Sequence, residues 1–137
     1  MLQYLFDHGM ERGSADAGKA ERELYTTFLA SAFRSLRFGL TEAHAKGMAL
    51  QFNYLSDKGG FVEKGDAFQV DFGKIKGAVR DLTHDLLTLE AQGDYAGTKK
   101  MLETLGVIRP AVQRALDASK SLPTDIDPIS ESADARP

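Results

Sequence analysis

At 137 residues the chain is long enough for one domain with its own core and too short for two. Its 42% hydrophobic and 27% charged residues belong to an ordinary soluble globular protein, and no apolar run approaches the roughly 20 residues of a membrane-spanning helix. The absence of cysteine excludes disulfides and thiolate metal sites and fits a reducing, cytoplasmic compartment. The start, MLQYLFDHGMERG, has no basic run ahead of its apolar residues and does not read as a secretory signal. Five acidic residues after Ala115 (Asp117, Asp125, Asp127, Glu131, Asp134) against Lys120 and Arg136 carry the whole net charge of −3. A neutral body with an acidic tail offers no footprint for nucleic acid.

Leu2 to His8 form a short apolar segment that reads as the end of a helix stopped at Gly9, and Arg12 to Gly18 as a loop. From Lys19 a helix follows in which Leu24, Tyr25, Phe28, Leu29, Ala32, Phe33 and Leu36 recur at three- and four-residue spacings, a stripe wide enough to predict a largely buried helix. Gly39 breaks it. A second helix, Thr41 to about Lys58, has Ala43, Gly47, Leu50 and Tyr54 on one face and Met48, Phe52 and Leu55 on another, the pattern of a core helix. Gly47 weakens such a helix by about 1 kcal/mol relative to alanine, which predicts close backbone packing there.

Gly59-Gly60 ends that helix, and the period then changes to two. Phe61 to Phe72 reads as a β-hairpin with its turn at Lys64–Ala67 and with Phe68, Val70 and Phe72 on the buried side. Two strands alone are marginal, so the hairpin has to lie on a helix. Asp71 or Phe72 opens the next helix, with Ile75, Val79, Leu82, Leu86 and Leu89 in register up to Gly93. Asp94 caps a short helix closed by Gly106, and Pro110 opens a last one to about Ser119. The predicted fold is mainly α: a bundle of five to six helices with one hairpin at about residues 61–72, over residues 1–129, followed by a disordered tail at 130–137.

The chemical lead is His44. With Thr41 as N-cap, Glu42 falls at the first helical position and His44 at the third, where a side chain can point past the helix end into a cleft. Met48, Phe52 and Leu55 continue its face. His84, between Thr83 and Asp85, reads as a surface residue. No histidine is followed by glutamate or has a second histidine within a turn, so no self-contained zinc site of the metalloprotease kind is present. Walker, dinucleotide-binding, nucleophile-elbow and EF-hand patterns are absent as well. Asp66, Asp71, Asp81 and Asp85 make no metal-ligand pattern. By itself the chain holds no complete catalytic site.

The order of segments nevertheless resembles a family. YTTFLASAFRSLRFGLTEAHAKGMALQFNYLSDKGGFV (Tyr25 to Val62) and DFGKIKGAVRDLTHDLLTLEAQGDYAGTKKMLETLGV (Asp71 to Val107) are similar to the C-terminal part of the dipeptidyl-peptidase III zinc metallopeptidases, bacterial members in particular. The Ala43-His44 pair ahead of the long helix and the glutamate-to-GDYAG element are its most specific parts.

The resemblance implies a two-lobed enzyme that removes dipeptides from peptide N-termini, this chain being the later part of its helical, zinc-bearing lobe. It implies zinc ligands, an H-E-x-x-x-H helix and a later glutamate, upstream of Met1, with Leu2 to His8 continuing the glutamate's helix. It also implies a cleft-facing histidine at the position of His44, assisting at the scissile carbonyl. Met48 stands where some members have arginine, so that arginine's contacts do not carry over. The implied cofactor is zinc in the parent enzyme, none being held by this chain alone. The implied partners are the N-terminal remainder and a peptide substrate, with self-association of the isolated, inactive chain through the face left uncovered. A non-catalytic helical interaction module is the alternative reading.

Overall fold

Apolar residues at helical spacing make α1 (Ala17–Leu36) the first element of the computed structural model, which describes residues 17–122. The expectations for Leu2 to His8 and for the tail at 130–137 fall outside those residues. Tyr25, Leu29, Ala32 and Leu36 are buried along one side of α1, with Phe28 and Phe33 packed beside them. Glu23, Thr27, Ala30 and Ser31 are exposed, so α1 is buried on one face only, not largely buried as its wide stripe predicts. The next helix and the hairpin cover that one face.

Gly39 turns the chain out of α1 at φ +84°, a left-handed backbone that glycine adopts without a Cβ clash. This turn runs on to Glu42, and α2 (Ala43–Asp57) begins later than the capping pattern predicts. Glu42, not Thr41, is the N-cap; it is extended (φ −87°, ψ 144°) and its side chain makes no capping bond. His44 therefore stands at the second helical position. Ala43, placed by the sequence on an apolar face, is exposed.

Farther along, α2 is the central helix. Phe52, Asn53, Tyr54 and Leu55 are buried in succession, as a helix contacted on several sides must be, and α1, the hairpin and two later helices all pack on it. Gly47 departs from expectation, because a Cβ there would meet nothing within 4 Å. Close packing does not account for that glycine.

The hairpin pairs β1 (Phe61–Lys64) with β2 (Ala67–Val70) in antiparallel register, Phe61 opposite Val70 and Lys64 opposite Ala67, around a two-residue Gly65-Asp66 turn. Its buried ring is Phe61, which joins Phe33, Phe52 and Phe68 in a cluster with centroid separations of 5.1 Å (Phe52–Phe68), 5.3 Å (Phe52–Phe61) and 5.4 Å (Phe33–Phe52). Such ring pairs add about 0.5–1.5 kcal/mol each beyond the area they bury. Phe72 is not on the buried side: it is 37% exposed, with the Arg22 guanidinium 4.5 Å from its ring centroid. The reason is Asp71, whose carboxylate accepts the Gly73 N–H and whose carbonyl accepts the Ile75 N–H, turning the chain before Phe72 can extend the strand. At the hairpin's root a Cβ on Gly60 would lie 2.7 Å from Ile75 Cδ1, so a larger residue there would have to displace the buried Ile75 side chain.

Three helices follow: α3 (Ile75–Gln92), α4 (Tyr95–Leu105) and α5 (Pro110–Ala118). In α3 the predicted stripe is buried at Ile75 and Leu82 but uncovered lower down, where Leu86 is 39% exposed. Asp94 caps α4 as predicted, its Oδ1 accepting the Gly97 N–H at 2.8 Å, and Pro110 occupies the first position of α5. The described residues thus form five helices and one hairpin, the mainly α architecture that the sequence predicts.

Candidate functional site

The turn from α1 into α2 leaves a cleft of about 350 Å³ whose walls include Arg34, Phe38, Glu42 and His44. Its position follows from the local sequence. Leu36 anchors the end of α1 in the core, Gly39 reverses the chain, and Ala45 buries the first turn of α2. His44 and Glu42 are then held on the outer side of that turn, both exposed. The exposed imidazole makes no hydrogen bond to another described residue and lines the cleft. Phe38, 68% exposed, gives the same cleft an apolar wall. A ring of this kind can donate or accept one hydrogen bond at a carbonyl or water. Among the described residues no three His, Asp or Glu side chains converge as metal ligands.

The second described histidine, His84, is a surface residue as predicted. Its Nδ1 lies 3.4 Å from Asp85 Oδ1 and its side chain is 80% exposed. Asp85 itself belongs to a network that the sequence did not reveal. Tyr54 Oη donates to Asp85 Oδ2 at 2.5 Å, and Lys58 Nζ reaches Asp81 Oδ2 at 2.9 Å. Burial, then the bond to Asp85, pushes the Tyr54 hydroxyl up to about 12. The Tyr54 bond, then His84, holds the Asp85 carboxyl below its usual value. Tyr54 with Lys58, and Asp81 with Asp85, are i, i+4 pairs on facing helices, a complementarity visible only once α2 and α3 are known to be neighbours.

Two further links fix the far end of α2. Asn53, 1% exposed, donates through Nδ2 to the carbonyls of Leu105 (2.7 Å) and Val107 (2.8 Å). Arg109 pairs in bidentate fashion with Asp57, at 2.5 and 2.8 Å, which lowers the Asp57 pKa. None of these groups lines the His44 cleft; they tie the far end of the helix to its neighbours.

Compared with solved structures, the chain superposes on dipeptidyl-peptidase III from Corallococcus sp. strain EGB with a TM-score of 0.80 at 44% identity. It superposes on the enzyme from Caldithrix abyssi with a TM-score of 0.79 at 38% identity. Its fold is that of a segment of dipeptidyl-peptidase III. The matches take in 93% and 92% of this chain but only 23% and 24% of the dipeptidyl-peptidase III chains, so it spans about a quarter of their length. The resemblance read from Tyr25 to Val107 is borne out. Among curated proteins, the chain is 47% identical over 115 residues to "Nudix hydrolase 3" of Arabidopsis thaliana, covering 82% of this chain and 15% of that protein. That match concerns a small part of a much longer protein, most of which lies outside the aligned region. No family model matches the chain.

Proposed function

We propose that this chain is the part of a dipeptidyl-peptidase, acting on peptide N-termini in the cytoplasm, that supplies His44 to the substrate cleft. The supporting observation is the exposed imidazole of His44 at the start of a helix whose other end is locked into the core. In this reading an imidazole N–H donates to the carbonyl oxygen of the scissile peptide as negative charge builds there. A preplaced donor of that kind is worth about 10²–10³ in turnover. The zinc implied by the resemblance has no fitting ligand set among the described residues. Its ligands and the rest of the cleft belong to the N-terminal remainder, without which the chain is inactive.

The same reading accounts for the uncovered apolar residues of α3 and α4. Leu87 is 58% exposed and Tyr95 79%, a face that the remainder of the enzyme would cover and that makes the isolated chain self-associate. The test is a graft. Residues 17–122 replace the matching segment of the Corallococcus enzyme, and dipeptide release from a peptide is assayed. Release by the graft, with none from the isolated chain, is the expected result; a folded graft without activity contradicts the proposal.

A further inference from the structure

Phe38 is the ring on the His44 cleft that the packing of this chain does not use. It is 68% exposed and touches no other described ring. The other described phenylalanines pack into or against the core or, in Phe72, face the Arg22 guanidinium. A single exposed ring on an open surface needs no explanation, but this one stands on a cleft wall that also carries an imidazole. The backbone around it is tied down. Leu36, 1% exposed, anchors the end of α1, and its carbonyl accepts the Gly39 N–H at 3.0 Å where the chain turns at φ +84°. Next to Phe38, Arg37 Nη2 donates to the Leu122 carbonyl at 3.2 Å. A ring on such a turn loses little backbone freedom when a ligand lies against it.

We propose that Phe38 is a specificity-determining residue, the wall of a subsite that takes an uncharged apolar side chain, an aromatic one best, next to the scissile bond. This rests on the peptidase reading above. A peptide whose scissile carbonyl meets His44 carries its flanking side chains on Cα atoms only about 3.8 Å apart, so both start close to the cleft walls. The cleft, of about 350 Å³, stands at the lower end of the roughly 300–1,000 Å³ of ligand sites, a size for a side chain and not for a folded element. Its lining carries one guanidinium, Arg34, and one carboxylate, Glu42, whose formal charges cancel, so the ring is what gives the cleft its character. Covering that ring is favourable in proportion to the apolar area removed from water, and a second ring adds an edge-to-face or offset contact of the kind Phe52 makes with Phe33 and Phe68. His44 and Phe38 thus divide the work: one meets the reacting carbonyl, the other the side chain beside it. Contact of that kind kept in the transition state raises kcat/KM for the peptide that makes it.

The test uses the graft in the Corallococcus enzyme and all-alanine peptides in which phenylalanine replaces the second residue or the third, the two that flank the bond cut in dipeptide release. Each is mixed with the all-alanine peptide, and the ratio of the two kcat/KM values is read from their competition. The expected ratio is at least about 10 at one of the two positions, since apolar pockets discriminate by about 10–200-fold per methylene. The position that shows it tells which side of the bond Phe38 faces. Phe38→Ala brings that ratio to within about threefold of unity, and Phe38→Tyr, which keeps the ring, retains it. A residue that only supported the fold would lower both peptides together and leave the ratio in place. An active graft in which Phe38→Ala keeps the ratio, or in which neither position favours phenylalanine, overturns the inference and leaves the peptidase reading standing. A folded graft that releases no dipeptide overturns that reading, and the inference falls with it.

Discussion

The two ends of α2 are built for different tasks. From Phe52 to Leu55 every residue is buried, and Asn53, Tyr54 and Asp57 tie the helix to α3, α4 and the start of α5. From Glu42 to His44 the helix is exposed, lacks a side-chain cap and borders a cleft. One rigid element thus carries stability at one end and an accessible imidazole at the other. A side chain at the open end can be changed without loosening the scaffold locked at the other.

That contrast gives graded expectations for the isolated chain. Phe52→Ala, at the centre of the aromatic cluster, destabilises by about 3–5 kcal/mol in urea denaturation. A loss comparable to that at the exposed end would break the comparison. Asn53→Ala leaves the Leu105 and Val107 carbonyls without their donor and costs about 1–3 kcal/mol by the same measurement.

Tyr54 gives a pH signature. Its folded pKa, about 12, lies above the ordinary 10.0, so its contribution is complete below 10.0 and is lost as pH rises toward 12. Tyr54→Phe should lower stability at neutral pH and remove that alkaline component from the stability curve. Asp85 and Asp57 work in the opposite sense: their folded pKa values are lowered, so their contribution is present above the carboxylate value of 3.8 and fades as pH falls through it.

At the open end the effects are small, and one has the opposite sign. Gly47→Ala should stabilise by about 0.5–1 kcal/mol, because nothing occupies the space of the added methyl. Thr41→Ala should stay within about 0.5 kcal/mol, since that residue caps nothing. A loss of about 1 kcal/mol at Thr41, the ordinary value of an N-cap, would restore the cap that the sequence suggested.

Helical periodicity made α1, α2 and the upper half of α3 legible, because burial follows spacing wherever a neighbour covers the stripe. Asp94 and Pro110 were legible because capping and φ preferences act within one turn of the chain. Thr41 misled for the complementary reason: the rule is local, but the Gly39 turn needs the residues up to Glu42 before a helix can start. Phe72 continued the alternation of the hairpin, yet Asp71 had already turned the backbone. Leu86 carries the stripe of α3 beyond the neighbours that the described residues supply. Asn53 and the Tyr54–Asp85 pair stayed hidden because their partners lie 31 or more positions away in sequence. His44 could be singled out from its place ahead of an apolar helix, whereas the cleft beside it arises from packing two helix ends that sequence alone does not orient.

In the proposed peptidase, His44 acts as a donor on an otherwise intact scaffold. In the active graft, His44→Ala should lower kcat by about 100-fold or more, with the melting temperature and bound zinc unchanged. Turnover within about twofold of the parent would contradict that role, since a donor aimed at a reacting carbonyl cannot be removed at so little cost.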